Sequence, residues 1–197
     1  MILVEETQVL DAALPVDALK QHLRLGTGFA EDDVQDAVLR SFLRAALASV
    51  EARCSRALIT RRFVLTLNAW RDSNAQVLPI APVASITDVT LVDGYGVTKT
   101  VDPARYRLEK DAFGPMLKAR GSSLPGIARD GAAEVRFDAG YGAAFTDLPA
   151  DLQQAVLLLA AHYYEYRDET ALGQGCMPFG VTSLIARYRP MRLGLGA

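Results

Sequence analysis

Apolar residues recur every three to four positions from about Asp32 to about Arg56, the strongest periodic signal in the chain. At 100° per residue, Leu39, Phe42, Leu43, Ala46, Leu47, Val50 and Cys54 share one wide face, which predicts a long helix with that face in the core. Its ends suit the helix dipole: Glu31, Asp32, Asp33 and Asp36 crowd the start, Arg53 and Arg56 the end. A second face holds only small residues, Ala37, Ser41, Ala45, Ala48 and Ala52. Asp33, Arg40, Arg44 and Glu51 occupy a narrow strip between the two faces. A helix with so little polar surface should be covered on two sides. Its small face meets either a neighbouring subunit or a second helix of the same chain, and the pattern leaves both open.

Before this helix, Pro15 to Arg24 reads as a brief helix with proline in its first turn and basic residues at its end, closed by Gly26 to Gly28. After it, from Arg61 to about Tyr141, the texture changes to short alternating runs broken by turn residues, which predicts an antiparallel β unit. Phe63, Leu65 and Leu67 alternate; Val77–Ile80 and Ile86–Val92 follow, and Asp93-Gly-Tyr-Gly96 turns the chain into Val97–Val101. Tyr106–Leu108, Met116–Lys118 and Glu134–Phe137 complete about six or seven strands, enough for a small sheet or barrel. Helix returns after Pro149: Asp151 to Tyr166 is apolar nearly all round and should be the most buried helix. Beyond a loop from Gly173 to Gly180, Val181, Leu184, Ile185 and Tyr188 make one short amphipathic helix that Pro190 ends.

The expected class is therefore α+β: a helical bundle body (1–60 and 146–190) interrupted by an antiparallel β insertion (61–145), with a tail from Met191 to Ala197 that has no reason to fold alone. The length of 197 residues suits one ordinary domain with a sizeable insertion. Half the residues are apolar and 22% are charged, which excludes a wholly disordered chain. A net charge of −2 offers no broad cationic field for wrapping nucleic acid. Cys54 and Cys176 read as free thiols, no basic leader precedes an apolar stretch, and no run is long enough to cross a bilayer. These features predict a cytoplasmic protein without a membrane partner.

Chemistry is scarce. The two histidines, His22 and His162, lack metal-ligand spacing with Cys, Asp or Glu, so no metal or other cofactor is expected. His162, among Tyr163, Tyr164, Glu165 and Tyr166, reads as packing or interface. With Cys176 it imitates a thiol nucleophile and its base, the enzymatic alternative. Gly140-Tyr-Gly142 is only a fragment of a phosphate loop and reads as a tight crossing back to helix. The basic clusters are Arg61-Arg62 and the series Arg187, Arg189, Arg192.

Four stretches in this order carry a resemblance: Val50-Glu-Ala-Arg-Cys-Ser-Arg-Ala-Leu-Ile59, Leu78-Pro-Ile-Ala-Pro-Val-Ala-Ser-Ile86, Phe137-Asp-Ala-Gly-Tyr-Gly142 leading to Leu148-Pro-Ala-Asp-Leu152, and Ala161-His-Tyr-Tyr-Glu-Tyr-Arg167. From about Pro15 to about Leu193 the chain resembles the head-tail connector, or adaptor, proteins of long-tailed phages, prophages and gene transfer agents. The resemblance implies a structural protein, not an enzyme. It would be one subunit of a twelve-membered ring, made in the cytoplasm and seated in the particle neck between the portal and a stopper or tail-completion protein. DNA would pass through the channel as non-specific cargo. It further implies portal contacts through the C-terminal segment, at Leu184, Tyr188, Arg189, Met191, Arg192 and Leu193. The small face of the long helix suits the ring contact, and a monomer or weak oligomer is expected before docking. The simplest adaptors look almost wholly helical, so the β insertion is a departure. A neck stopper or tail-terminator ring protein is the alternative within the same location.

Overall fold

The computed structural model describes residues 1–25, 33–166 and 177–190, and within them four α-helices and eight β-strands fall into two units. The expected α+β class is what forms, with helices and antiparallel sheets in separate units. One unit is helical (Leu10–Leu58 with Ala144–Ala197) and the other is β (Met1–Val9 with Ile59–Ala143). The first nine residues, expected with the helical body, therefore belong to the β unit. The cause is a strand, Ile2–Glu5, that pairs with Phe63–Thr66 and continues the sheet. Four residues are too few for an alternating pattern to declare itself.

In the helical unit, α1 (Val16–His22), α2 (Asp33–Cys54) and α4 (Phe179–Ile185) each pack against α3 (Ala150–Glu165). The near-continuous apolar sequence of α3 explains that central place: Leu152, Ala155, Val156, Leu159, Ala160 and Ala161 are all buried. From α2 come Leu39, Leu43, Ala46, Leu47, Val50 and Cys54. Each fully buried leucine contributes about 1.5–3 kcal/mol relative to exposure. α2 ends at Cys54, two residues short of expectation, because Ser55 takes a left-handed φ of 52°. The Arg56 N–H then reaches back to the Glu51 carbonyl at 3.2 Å, and the Leu58 N–H donates to the Glu51 carboxylate at 2.7 Å. Asp32 and Gly26 to Gly28, assigned from sequence to the helix start and the preceding turn, lie outside the described residues.

The β unit holds two antiparallel sheets, where a single small sheet or barrel was expected. The five-stranded sheet runs β1 (Ile2–Glu5), β2 (Arg61–Leu67), β8 (Ala132–Ala139), β4 (Val83–Val92), β5 (Thr98–Thr100). The three-stranded sheet runs β3 (Ala75–Val77), β7 (Met116–Ala119), β6 (Tyr106–Glu109). Period-two alternation decides which side is core. On β2, Phe63, Leu65 and Leu67 are buried, and on β8, Ala133, Val135, Phe137 and Ala139 are. In register, Phe63 lies opposite Phe137 with ring centroids 5.8 Å apart. The run expected at Val77–Ile80 stops at Val77, since Pro79 has no N–H to offer a ladder.

Gly140 closes this sheet. Its φ is +142°, and a Cβ there would lie 2.3 to 2.7 Å from backbone atoms of Thr60 and Ile59. Only glycine lets the strand after β8 pass so close to the start of β2. The Thr60 N–H donates to the Gly142 carbonyl at 2.8 Å, so the Gly-Tyr-Gly run is a chain crossing.

Candidate subunit and partner interfaces

Burying one face of α2 leaves the other bare. Ala37, Ser41, Ala45, Ala48 and Ala52 are all exposed, joined by Val38. At 1.5 Å per residue the stripe from Ala37 to Ala52 is about 22 Å long. No side chain longer than valine rises from it, so another backbone can approach closely. Its borders are held in place: Arg44 pairs with Asp11 at 2.6 Å, Arg40 with Asp36 at 3.6 Å, and the Ser49 and Tyr163 hydroxyls bond at 3.0 Å. Within this unit α3 covers the wide apolar face only. Of the two partners that the sequence left open for the small face, no helix among the described residues of this unit covers it.

At the end of the helical unit, Tyr188 is 8% exposed, and its hydroxyl donates to Asp151 at 2.8 Å. Arg187 pairs with the same Asp151 at 2.8 Å and lies 4.7 Å from the Tyr188 ring centroid. Arg56 stacks on that ring at 5.3 Å and donates to the Tyr188 carbonyl at 3.3 Å. Burial foremost, then Asp151, pushes the Tyr188 phenol above its ordinary pKa, against the pull of Arg187. Tyr188, expected at the portal contact, is thus an internal fastener between the C-terminal segment, α2 and the start of α3. The amphipathic period saw its apolar ring but not this polar set of partners. Leu184 is half-buried and Arg189 is exposed, so both present surface. Met191, Arg192 and Leu193 lie outside the described residues.

His162 lines a cleft of about 370 Å³ with His22, Leu158, Glu165, Tyr166 and Val181. Its ring is 4.7 Å from that of Tyr166, which matches the packing role read from the sequence. Cys176, its imagined thiol partner, lies outside the described residues. Cys54 is buried, and desolvation raises its thiol pKa against the opposing charges of Arg56 and Arg189, which makes it a poor nucleophile. Among the described residues no group of three or more His, Cys, Asp or Glu can hold a metal ion, and no helix is long and apolar enough to cross a membrane.

On the five-stranded sheet the β unit pairs charges with one another. Arg61 pairs with Glu5 at 2.8 Å, and Arg62 forks onto Asp138 at 3.0 and 3.3 Å. Arg136 meets Glu134 at 2.8 Å, Asp88 at 3.2 Å and Glu6 at 3.5 Å. The Arg61-Arg62 cluster is part of this cross-strand ladder. Among the large apolar residues that the unit exposes, Met1, Ile2, Tyr95 and Val97 lie toward one end of the five-stranded sheet, while Val4 and Phe113 are exposed elsewhere.

A scan of protein-family models gives no match, and neither does a search of curated proteins. Solved structures do match. The neck of an empty gene transfer agent particle, computed with six-fold symmetry, contains a chain 50% identical to this one at a TM-score of 0.90, over 100% of this chain and 99% of that one. The virion of a native gene transfer agent particle gives 50% identity at a TM-score of 0.88, with the same coverage. The neck of a native particle, computed with twelve-fold symmetry, gives 46% at 0.86, again over 100% and 99%. These likenesses define the class first: a structural component of a particle neck, not an enzyme. The chain belongs to the head-tail connector, or neck, proteins of gene transfer agents.

Proposed function

We propose that this chain is the head-tail adaptor of its particle: twelve copies form a ring that joins the portal to the stopper or tail and leaves a channel for DNA. The observation that carries the reading is the bare small-residue face of α2, long and flat while the opposite face is buried against α3. A head-to-tail contact through such a face closes by rotation into a ring, and relatives of this chain occur in necks computed with six-fold and twelve-fold symmetry. Ala37, Ser41, Ala45, Ala48 and Ala52 form the ring contact. Leu184 and Arg189, continued by Met191, Arg192 and Leu193, face the portal, and Tyr188 supports that arm from inside. A net charge of −2 suits a conduit through which DNA must slide without being gripped. The chain assembles in the cytoplasm as a monomer or weak oligomer and closes its ring on the portal.

Ala45→Glu with Ala48→Glu tests this. Both positions are exposed, so the monomer should keep its stability within about 0.5 kcal/mol. Filled heads without tails are expected, with the chain missing from the neck by quantitative mass spectrometry. Normal incorporation of the doubly substituted chain would sink the α2 ring contact. Removing residues 191–197 tests the arm separately: it should weaken capture by purified portal while circular dichroism stays unchanged.

A further inference from the structure

We infer that the end of the five-stranded sheet carries a knob and a hole that join neighbouring copies of this chain: Tyr95 of one copy enters the cleft bounded by Met1, Leu67, Val77 and Pro79 of the next. The knob is Tyr95 itself, 96% exposed at the tip of the β4–β5 hairpin, with Val97, 65% exposed, beside it. The turn beneath it is rigid. The Asp93 carboxylate accepts the N–H groups of Tyr95 and Val97, both at 2.9 Å. The Gly96 N–H donates to the Asp93 carbonyl and the Asp93 N–H to the Val97 carbonyl, both at 3.0 Å. Gly96 supplies the positive φ of 83° that the turn requires. A tyrosine on a fixed turn has few freedoms to lose on docking, and tyrosine is among the residues enriched as interface anchors.

The hole is a cleft of about 410 Å³, within the size range that accepts a small aromatic group. Its walls are mainly apolar, with Asn68, Arg71 and Gln76 as the polar residues of the lining. The backbone at one wall is braced by Gln76, which accepts from the Arg71 N–H at 3.0 Å and donates to the Val77 carbonyl at 2.9 Å. Exposed Met1 and Val77 stand at its mouth.

Register puts knob and hole at the same end of the sheet but on opposite sides of its central strand, β8. Val92, which leads into the hairpin, pairs with Ala132, and Leu67, on the wall of the hole, pairs with Ala133. β5 is one edge and β1 the other. Leu67 on β2 and Val92 on β4 are two strand spacings apart, about 10 Å, and Tyr95, 96% exposed, does not fill the hole of its own copy. A knob on one side of β8 and a hole on the other make a head-to-tail contact, which repeats around a ring. This rests on the ring reading proposed above and gives the β unit a part in it.

The test keeps the knob in place and makes it reactive: particles are assembled with p-benzoylphenylalanine at position 95 and irradiated. Covalent multimers of this chain are expected, with the adduct mapped by peptide mass spectrometry to residues 67–79 of a second copy. A neck that contains the chain but yields no such adduct, or yields adducts only to another protein, overturns the knob and hole and leaves the ring reading standing. Absence of the unsubstituted chain from purified necks removes the ring reading itself. In parallel, Tyr95→Ala should lower self-association at the neck about tenfold, equivalent to about 1.4 kcal/mol, and unchanged association would count against the anchor.

Discussion

The helical unit and the β unit solve the same problem, what to do with a second face, in opposite ways. On one side of the five-stranded sheet Arg62 pairs with Asp138 and Arg136 with Asp88 across strands, and Arg136 with Glu134 along its own strand, so the face is closed by its own charges. On α2 the second face carries no charge to pair, its one hydroxyl, that of Ser41, donates to the Val38 carbonyl at 2.7 Å, and Arg40 and Arg44 at its border are turned to Asp36 and Asp11. A surface that satisfies itself is finished in the monomer. One made of alanines and a serine has no internal use and gains only when another backbone covers it. Internal charge pairing thus marks a surface that is complete in the monomer, and the α2 face, which the ring proposal uses, has no such pairing of its own.

The sharpest way to break this contrast is through the β unit's dependence on its own closure. Gly140→Ala forces a Cβ to within 2.3 Å of the Thr60 backbone at a φ that side chains avoid. The expected loss is about 3 kcal/mol or more, read as a fall in the urea midpoint. An unchanged midpoint would mean that the crossing relaxes freely. Next comes the charge ladder. Arg136→Met strips the shared partner from Asp88, Glu134 and Glu6 and should cost about 1–2 kcal/mol, discounted because the side chain is partly exposed. High salt should shrink that loss. Ring incorporation of a chain that still folds should be untouched, the reverse of the result expected for glutamates at Ala45 and Ala48.

Much of this architecture was legible because periodicity reports burial directly. The α2 and α3 periods, the alternation at Phe63, Leu65 and Leu67, and the Asp93-Gly-Tyr-Gly96 turn each mark a local physical requirement, and each formed. The features that sequence missed depend on partners distant along the chain. β1 is a strand only because β2 accepts it across about sixty positions. Tyr188 looks like the outer residue of a short amphipathic helix, yet Asp151 and Arg56, from two other segments, make it internal. The small face of α2 was readable as unusual, and only the packing of α3 showed which side of the helix stays bare.

The smallest expected effect is also the one that best sharpens the comparison, because both units contain a tyrosine whose pKa is raised first by burial and then by different neighbours. Tyr106, in the β unit, has its phenol pKa raised by burial and then by Asp88 and Asp102. Tyr188 is raised by burial and by the hydrogen bond to Asp151, with Arg187 opposing. A phenol whose folded pKa lies above its unfolded value of about 10 contributes stability that is complete below pH 10 and lost as pH rises through the folded value. Stability should therefore decline above pH 10. Tyr188→Phe should remove part of that decline and lower stability at neutral pH by about 1 kcal/mol, since Asp151 loses a donor while the ring remains under Arg56. Tyr106→Phe should remove another part of the decline without a comparable loss at neutral pH. Phenolate absorbance followed against pH in the two variants separates the contributions. A Tyr188→Phe chain whose alkaline decline matches that of the parent would mean that the fastener acts through its ring alone, and that the bond to Asp151 does not help hold the C-terminal segment in place.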